Sequence, residues 1–514
     1  MYKNRKIGMK LLLFYVMASM VIGASVPSDF AREVAKGIFF ENKHLHGRND
    51  FIVSHVETLK DEGRELIHIF HLSPKGFIMV PADDQAIPNL AFGFDHSFVS
   101  NDMPSNLNAL MESYKGELLH LIRNQEESSS EIKALWEGYL NGNIRMDHSR
   151  DVSPLIDAEF DQGGSWNNGI QAGIGFNGPV GCVAVAMCQV MHYWSYPEQG
   201  FGSNYYTEND YGYIEVDFEE AYYDYDNMAA TYATSASQLL LFHAGVSVNM
   251  DYDWSGSGAQ VVGSYPSAFY AMENFFGYDS NISYKWKDQH TDTEYRNFIK
   301  GELNYNRPLI AQGFGASYGG GHAWNIDGYS GNNLHCNWGW GGSSNGYFNL
   351  TTMGGFPDDQ AVIIGILPQM ADPIALFEYE VNDLSVSFID LSELINEVEI
   401  ESWLWNFGDG SYSYSAAPTH VYDANGVYEV RLTITNIYGV NSEPHMELID
   451  LQSGISGDIN GDEILNILDI VLLVNFILNA DAPNALEFEA SDLNDDGILN
   501  ILDIVTLTNL ILGN

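Results

Sequence analysis

The sequence predicts a multidomain protein: a mixed α+β N-terminal half, then a β-sandwich, then a small α module built on two acidic loops. Three observations carry this. A length of 514 residues exceeds what one core serves, because single cores stop growing at about 250–300 residues. Apolar residues at 45% and aromatics at 13% can fill several cores and exclude global disorder. The composition also changes character twice. Residues 151–368 are rich in Gly, Tyr, Trp and Asn, alternating strand patterns begin near 373, and two acidic-then-apolar repeats follow Leu451.

Charge narrows the function classes. Lys plus Arg number 22 against 69 Asp plus Glu, a net −47, which repels phosphate backbones and anionic lipid and excludes nucleic acid as a partner. From Pro373 to Asn514 there are 25 acidic residues and one basic residue, Arg431. Such an excess reads as a saline or calcium-rich setting or simply as a well-solvated surface, and for most of these carboxylates the second reading holds.

At the N-terminus, Lys3, Arg5, Lys6 and Lys10 precede the apolar run Leu11 to Ile22, which closes in Gly23-Ala24-Ser25. The run falls short of the ~20 residues a span needs, so residues 1–24 read as a secretory signal peptide, with a membrane anchor as the alternative. No later segment is long and apolar enough to span. Residues 25–150 read as a small α+β unit. Phe30, Val34, Ile38 and Phe39 keep helical spacing, Leu66 to Leu72 alternates as a strand, Ser73 to Gly76 turns, and Phe77 to Val80 returns. A second amphipathic helix carries Leu107, Leu110, Met111, Tyr114, Leu118 and Leu121. The polar stretch Asn141 to Asp151 reads as an exposed linker that tolerates cleavage.

Three cysteines, Cys182, Cys188 and Cys336, make no disulfide framework and no zinc pair, and an odd count leaves a free thiol. Cys182 opens an apolar helical run, Gly181 to Trp194, where unsatisfied N–H groups and the helix dipole favour thiolate. Cys188 falls mid-helix, as an inert core residue. Gly319-Gly-Gly-His322 delivers an imidazole at the head of a strand pattern, and Asn337 follows 15 residues later. A thiolate nucleophile needs an imidazole for its proton, and the imidazole needs an amide or carboxylate to orient it. Upstream, Gln162 offers an amide that joins the Cys182 N–H as an oxyanion donor. His335 and Cys336 read as structural.

These segments resemble the streptopain family of cysteine proteases. The matching residues are Gly181-Cys-Val-Ala-x-Ala-Met-x-Gln-Val-Met-x-Tyr193 with Tyr196-Pro197, then Gly320-Gly-His-Ala323, Ile326-Asp-Gly328 and Asn337-Trp-Gly-Trp-Gly-Gly342. The resemblance covers roughly 151–368 and implies a papain-like catalytic domain, endopeptidase activity on protein or peptide substrates, and an inhibitory pro-domain over 25–150, placed by position alone. It implies Cys182 as nucleophile, His322 as general base, Gln162 as oxyanion donor, Asn337 as orienter and Trp338 as a shield over the histidine–amide contact, with no cofactor for catalysis.

Two further resemblances follow. Ser402-Trp-Leu-Trp-Asn-Phe-Gly-Asp-Gly410 and Pro418-Thr-His-Val-Tyr422 are similar to the PKD domain, an immunoglobulin-like β-sandwich over 373–451, in which Asp409 orders its own turn. In 455–514, Asp458, Asn460, Asp462, Asn466 and Asp469 take positions 1, 3, 5, 9 and 12 of a calcium loop. Asp492, Asn494, Asp496, Asn500 and Asp503 repeat this, and Ile464 and Ile498 supply position-7 carbonyls. Glu463 stands at position 6, where Gly497 keeps the residue a sharp turn favours. Asp rather than Glu at position 12 resembles a dockerin and implies structural Ca2+ and a cohesin-like docking partner. The reading is a secreted, extracellular or surface-attached cysteine endopeptidase made as a pro-form. Its rivals are a thiol-dependent peptidoglycan amidase and a non-enzymatic adhesive protein.

Overall fold

The computed structural model describes residues 25–101, 103, 105–124, 127–143, 150–314, 321–350, 358–369, 372–382, 384–392, 398–451, 456–462 and 464–513. The signal-peptide reading, most of the linker reading, Gly319, Gly320 and Glu463 lie outside them. The chain forms two compact units, Met1–Met370 and Ala371–Asn514.

In the first unit an antiparallel sheet of ten strands runs through both the N-terminal segment and the peptidase-like segment. The N-terminal part supplies β1 (Val53–Asp61), β2 (Arg64–Leu72), β3 (Phe77–Pro81) and β4 (Ala91–Gly93). A separate hairpin, β5 (Ser203–Glu208) with β6 (Gly212–Asp217), stands outside this sheet. The rest of the sheet comes from β7 (Ser283–Trp286), β8 (Leu309–Phe314), β9 (Gly321–Ser330), β10 (Asn333–Asn337), β11 (Gly346–Phe348) and β12 (Asp358–Ile364). The order is β1-β2-β3-β4-β11-β10-β9-β8-β12-β7, and the seam is the pairing of Phe92 with Tyr347 and Ala91 with Phe348.

Helices cover both faces of the N-terminal strands, and this explains a departure from the expected alternation in Leu66–Leu72. All seven residues are buried, because Phe70 and Leu72 pack with the helices Ser28–Glu41 and Ser130–Asn141, while Ile67 and Ile69 pack with the helix Ser105–Asn124. The helix Cys182–Trp194 packs against β9 and is the centre of the largest core cluster, as its mostly apolar run requires.

In the second unit, β13 (Phe377–Asn382), β14 (Ser385–Asp390) and β17 (Thr419–Val421) form one sheet. The facing sheet has β15 (Ile400–Asn406), β16 (Tyr412–Ser413), β18 (Val427–Asn436) and β19 (His445–Asp450). Fully buried Trp405 anchors the core between them, its indole N–H donating to the Ser415 carbonyl at 2.9 Å. Asp409 Oδ1 accepts from its own turn at Ser411 N (2.8 Å), while Oδ2 meets His420 Nε2 at 2.6 Å.

Candidate active site and calcium loops

Gly181 prepares the start of the cysteine helix. Its φ is +103°, and a Cβ there would lie 2.7 Å from the Met250 thioether, so only glycine fits the approach. Cys182 follows as the first helical residue and is partly buried. The backbone N–H of Ala323, the residue after His322, donates to its Sγ at 3.4 Å. The head of β9 therefore lies on the start of the helix, and the thiol and imidazole residues separated by 140 positions are neighbours in space. Gln162 is buried and tied into the same corner, because its carbonyl accepts from Val180 N at 2.9 Å. The 338–342 loop closes the other side, with Gly341 N donating to Phe160 O at 3.1 Å.

The electrostatics differ from the expectation of a helix-end thiolate. Burial pushes the Cys182 thiol above its ordinary value, outweighing the N–H groups of Ala323, Val183 and Cys182 itself, which favour the anion. Burial likewise lowers His322 to about 4. Both shifts favour the uncharged form of their group.

Asn337 has a neighbourhood other than the expected histidine contact. Its Oδ1 accepts from Gln189 Nε2 (3.1 Å) and Gly339 N (3.2 Å), which occupies both lone pairs, and its Nδ2 donates to Ala158 O (2.9 Å). Gln189 Nε2 also reaches Ala158 O (2.8 Å), and Gln189 Oε1 accepts from Asn325 Nδ2 (2.9 Å). Sequence reasoning assigned no role to Gln189 or Asn325. The available signal was spacing: Gln189 lies two helical turns from Cys182, and Asn325 shares a strand face with Ala323. Trp338 is fully buried, with its ring 5.7 Å from Trp324 and 5.1 Å from Phe348. It braces the histidine strand through Trp324.

The N-terminal segment grips the walls of this site. His96 Nε2 lies 2.8 Å from Glu159 Oε1, and Val99 N donates to the buried Ser344 Oγ at 3.1 Å. A cleft of about 460 Å³ runs along the seam beside Phe94, His96, Glu159, Asn337 and Tyr347. Acid is expected to loosen the whole first unit. Folded His322 and His243 both titrate at about 4, against about 6.5 in an unfolded chain. Between these values the unfolded state holds more protons, so stability falls as pH drops from about 6.5 to about 4. A Cys182→Ala protein should show Tm declining through that window, less steeply in His243→Gln. An identical decline in that variant would sink the assignment for His243.

The acidic loops share one geometry. Asn466 and Asn500 are helix N-caps: their Oδ1 atoms accept from Leu468 N (2.8 Å) and Leu502 N (2.9 Å), and their Nδ2 groups donate to Ile464 O and Ile498 O. Asp469 and Asp503, both fully buried, complete the capping boxes. Asp469 Oδ1 accepts from Ile459 and Asn460 N–H, and Asp503 Oδ1 from Leu493 N–H. Backbone left-handed turns fall at position 4 in both loops (Gly461 φ +70°, Asp495 φ +55°) and at Gly497 (φ +73°). Carboxylates, amides and carbonyls repeated at these positions, without a cationic side chain in either loop, are the hard-oxygen donor types that suit Ca2+.

A thiol and an imidazole brought together at a helix start and a strand head, with a second α+β segment seated on the walls, define a cysteine peptidase made with a pro-segment. The comparisons agree. Residues 160–348 match the Peptidase C10 family, that of streptopain, and residues 23–118 match the Spi protease inhibitor family. The PKD domain matches 377–448, and the dockerin type I domain 456–512. Streptopain of Streptococcus pyogenes serotype M28 (strain MGAS6180) is 26% identical over 413 residues, spanning 71% of this chain and all of that protein. The thiol protease/hemagglutinin PrtT of Porphyromonas gingivalis is 26% identical over 462 residues, 80% of this chain and 50% of that protein. Among solved structures, a prointerpain A fragment of Prevotella intermedia covers 61% of this chain and 99% of its own, at 24% identity and a TM-score of 0.49. Among the described residues no helix is long and apolar enough to cross a membrane.

Proposed function

We propose that the protein is a secreted cysteine endopeptidase, held latent by residues 25–150, acting through residues 151–368 and docked through the C-terminal module. The observation that supports the site assignment is the Ala323 N–H on Cys182 Sγ at 3.4 Å, one residue along β9 from His322. His322 takes the thiol proton, and Sγ attacks the peptide carbonyl carbon. The oxyanion is held by the Gln162 amide and the Cys182 N–H. The imidazolium then protonates the leaving amine, and the neutral imidazole activates water against the thioester. Asn337 serves by holding β10 and the 338–342 loop through Ala158 and Gln189.

Latency is assigned to residues 25–150, whose His96–Glu159 and Val99–Ser344 contacts hold segments that flank the thiol corner. After trimming, a thiol-directed epoxide is expected to alkylate Cys182 and spare the fully buried Cys188 and Cys336. Absence of label on Cys182 in trimmed, reduced protein would overturn the reading.

Calcium is the ion of the dockerin module. Its ligands are proposed as Asp458, Asn460, Asp462, the Ile464 carbonyl and Asp469, with the equivalents Asp492, Asn494, Asp496, the Ile498 carbonyl and Asp503; Asn466 and Asn500 act through water. Bound ion neutralises the crowded carboxylates and orders both loops, presenting the helices Ile467–Ile477 and Ile501–Leu512 to a cohesin-like partner. Chelation is expected to make residues 456–513 of the full-length Cys182→Ala protein cleavable by trace protease, with calcium restoring protection. Protection that ignores chelator would refute these ligands.

A further inference from the structure

We propose that His55, Glu57 and His71 form a zinc-type divalent metal site on the outer edge of the sheet, in the segment preceding the peptidase. β1 and β2 are antiparallel, with His55 opposite His71 and Glu57 opposite Ile69. Strand alternation puts residues 55 and 57 on one face, and cross-strand pairing puts 69 and 71 on that same face. Three ligating side chains therefore meet at one corner of the ladder.

The contacts match the pattern. The two imidazole rings stack at 3.9 Å with planes 10° apart, and His71 Nε2 lies 3.1 Å from Glu57 Oε2. One donor atom from each of the three residues falls within 4.8 Å of the others. Ligands of one tetrahedral zinc stand about 3.3 Å apart at metal–ligand distances of 2.0–2.1 Å, so modest side-chain rotation closes the site. Two imidazole nitrogens and a carboxylate oxygen are a zinc donor set, with room left for water. His55 Nδ1 stands 3.4 Å from Ser54 Oγ, which leaves Nε2 available to the metal.

Burial supports the same chemistry. His71 is buried, Glu57 half-buried and His55 exposed, so two ligands are pre-set and the third closes over the ion. A stacked histidine pair beside a carboxylate is also a serviceable structural contact, and the test separates the two. The site matters because β1 is the sheet's edge strand, bonded to β2 alone, and its register slips between Val53 and His55. A metal bridging His55 and His71 pins the strand at that slip and stabilises the segment that grips the active-site walls.

The test uses full-length Cys182→Ala protein, which lacks the competing catalytic thiol, with excess calcium to fill the dockerin loops. Zinc is titrated against a chromophoric chelator. One micromolar-or-tighter site is expected, weakened at least tenfold in His55→Ala and in Glu57→Gln, with a zinc-dependent rise in Tm lost in both. Cobalt should give visible d–d bands without sulfur charge transfer, again lost in His55→Ala. His55 is exposed, so that variant keeps the fold. No site in the micromolar range, or a site indifferent to both substitutions, would overturn the proposal.

Discussion

Replacing Cys182 by alanine is expected to abolish proteolysis, a fall of about 10⁵-fold or more in turnover, while leaving a folded, untrimmed chain. The side chain is small and only partly buried, so its loss costs little packing. Purified wild type and Cys182→Ala, both starting near Ser25 and both reduced, would be followed by mass spectrometry while casein reports activity. In wild type alone, loss of the chain up to about residue 150 should accompany rising casein cleavage. If neither trims, added trypsin can cut after Arg145 or Arg150 and reveal any activity that self-processing failed to reach. Casein cleavage by the alanine variant at the wild-type rate would sink the nucleophile assignment.

That the expectation can be stated at all rests on how much chemistry the sequence displays locally. A thiol at the head of an apolar helical run and a histidine behind glycines at a strand head are patterns of a few residues, and the helix Cys182–Trp194 and strand Gly321–Ser330 match them in place. The PKD strands and the repeated acidic loops are legible for the same reason. What stayed hidden is relational. β4 is three residues long, too short for any periodicity, yet it joins the N-terminal strands to β11. β1 is mostly polar and bulged, so neither hydrophobicity nor alternation marks it. Asn466 shows both possibilities at once: position 9 of a calcium loop and the first residue of an Asn-x-x-Asp capping box are the same residue, and the cap takes its side chain.

On the proposed function, latency and the continuous sheet belong together. A latent site needs the wall segments 159–162 and 338–345 to be held, and His96 and Val99 hold them from a domain fixed by main-chain pairing rather than by side-chain contact alone. Losing that domain frees the β4–β11 pairing as well as the side-chain latches. Trimming therefore changes the edge of the peptidase sheet and the environment of the thiol in one step.

The second large effect is expected from Gln189. Substitution by leucine keeps the volume and the helix but removes the group that joins Ala158, Asn325 and Asn337. Ala158 O keeps Asn337 Nδ2, and Asn337 Oδ1 keeps Gly339 N, so neither is stranded. Asn325 is: it is fully buried, its Nδ2 donates to Gln189, and its Oδ1 has no hydrogen-bond partner among the described residues. An amide stranded in this way costs about 1–3 kcal/mol, read as a drop in the denaturation midpoint of the untrimmed protein. Adding Asn325→Leu removes the stranded amide and should recover much of that loss, because replacing both partners of a buried hydrogen bond with apolar groups is far cheaper than replacing one. Turnover should not recover with it. Among the contacts between the helix and β9 are two side-chain hydrogen bonds, Cys182 with Ala323 and Gln189 with Asn325, and the double variant removes the second. Thiol and imidazole then lose their fixed register, and a misplacement of about 1 Å costs on the order of 10²-fold. Stability restored with turnover still depressed, at unchanged KM, identifies Gln189 as a positioning residue. Parallel recovery of both would reduce the network to a packing role.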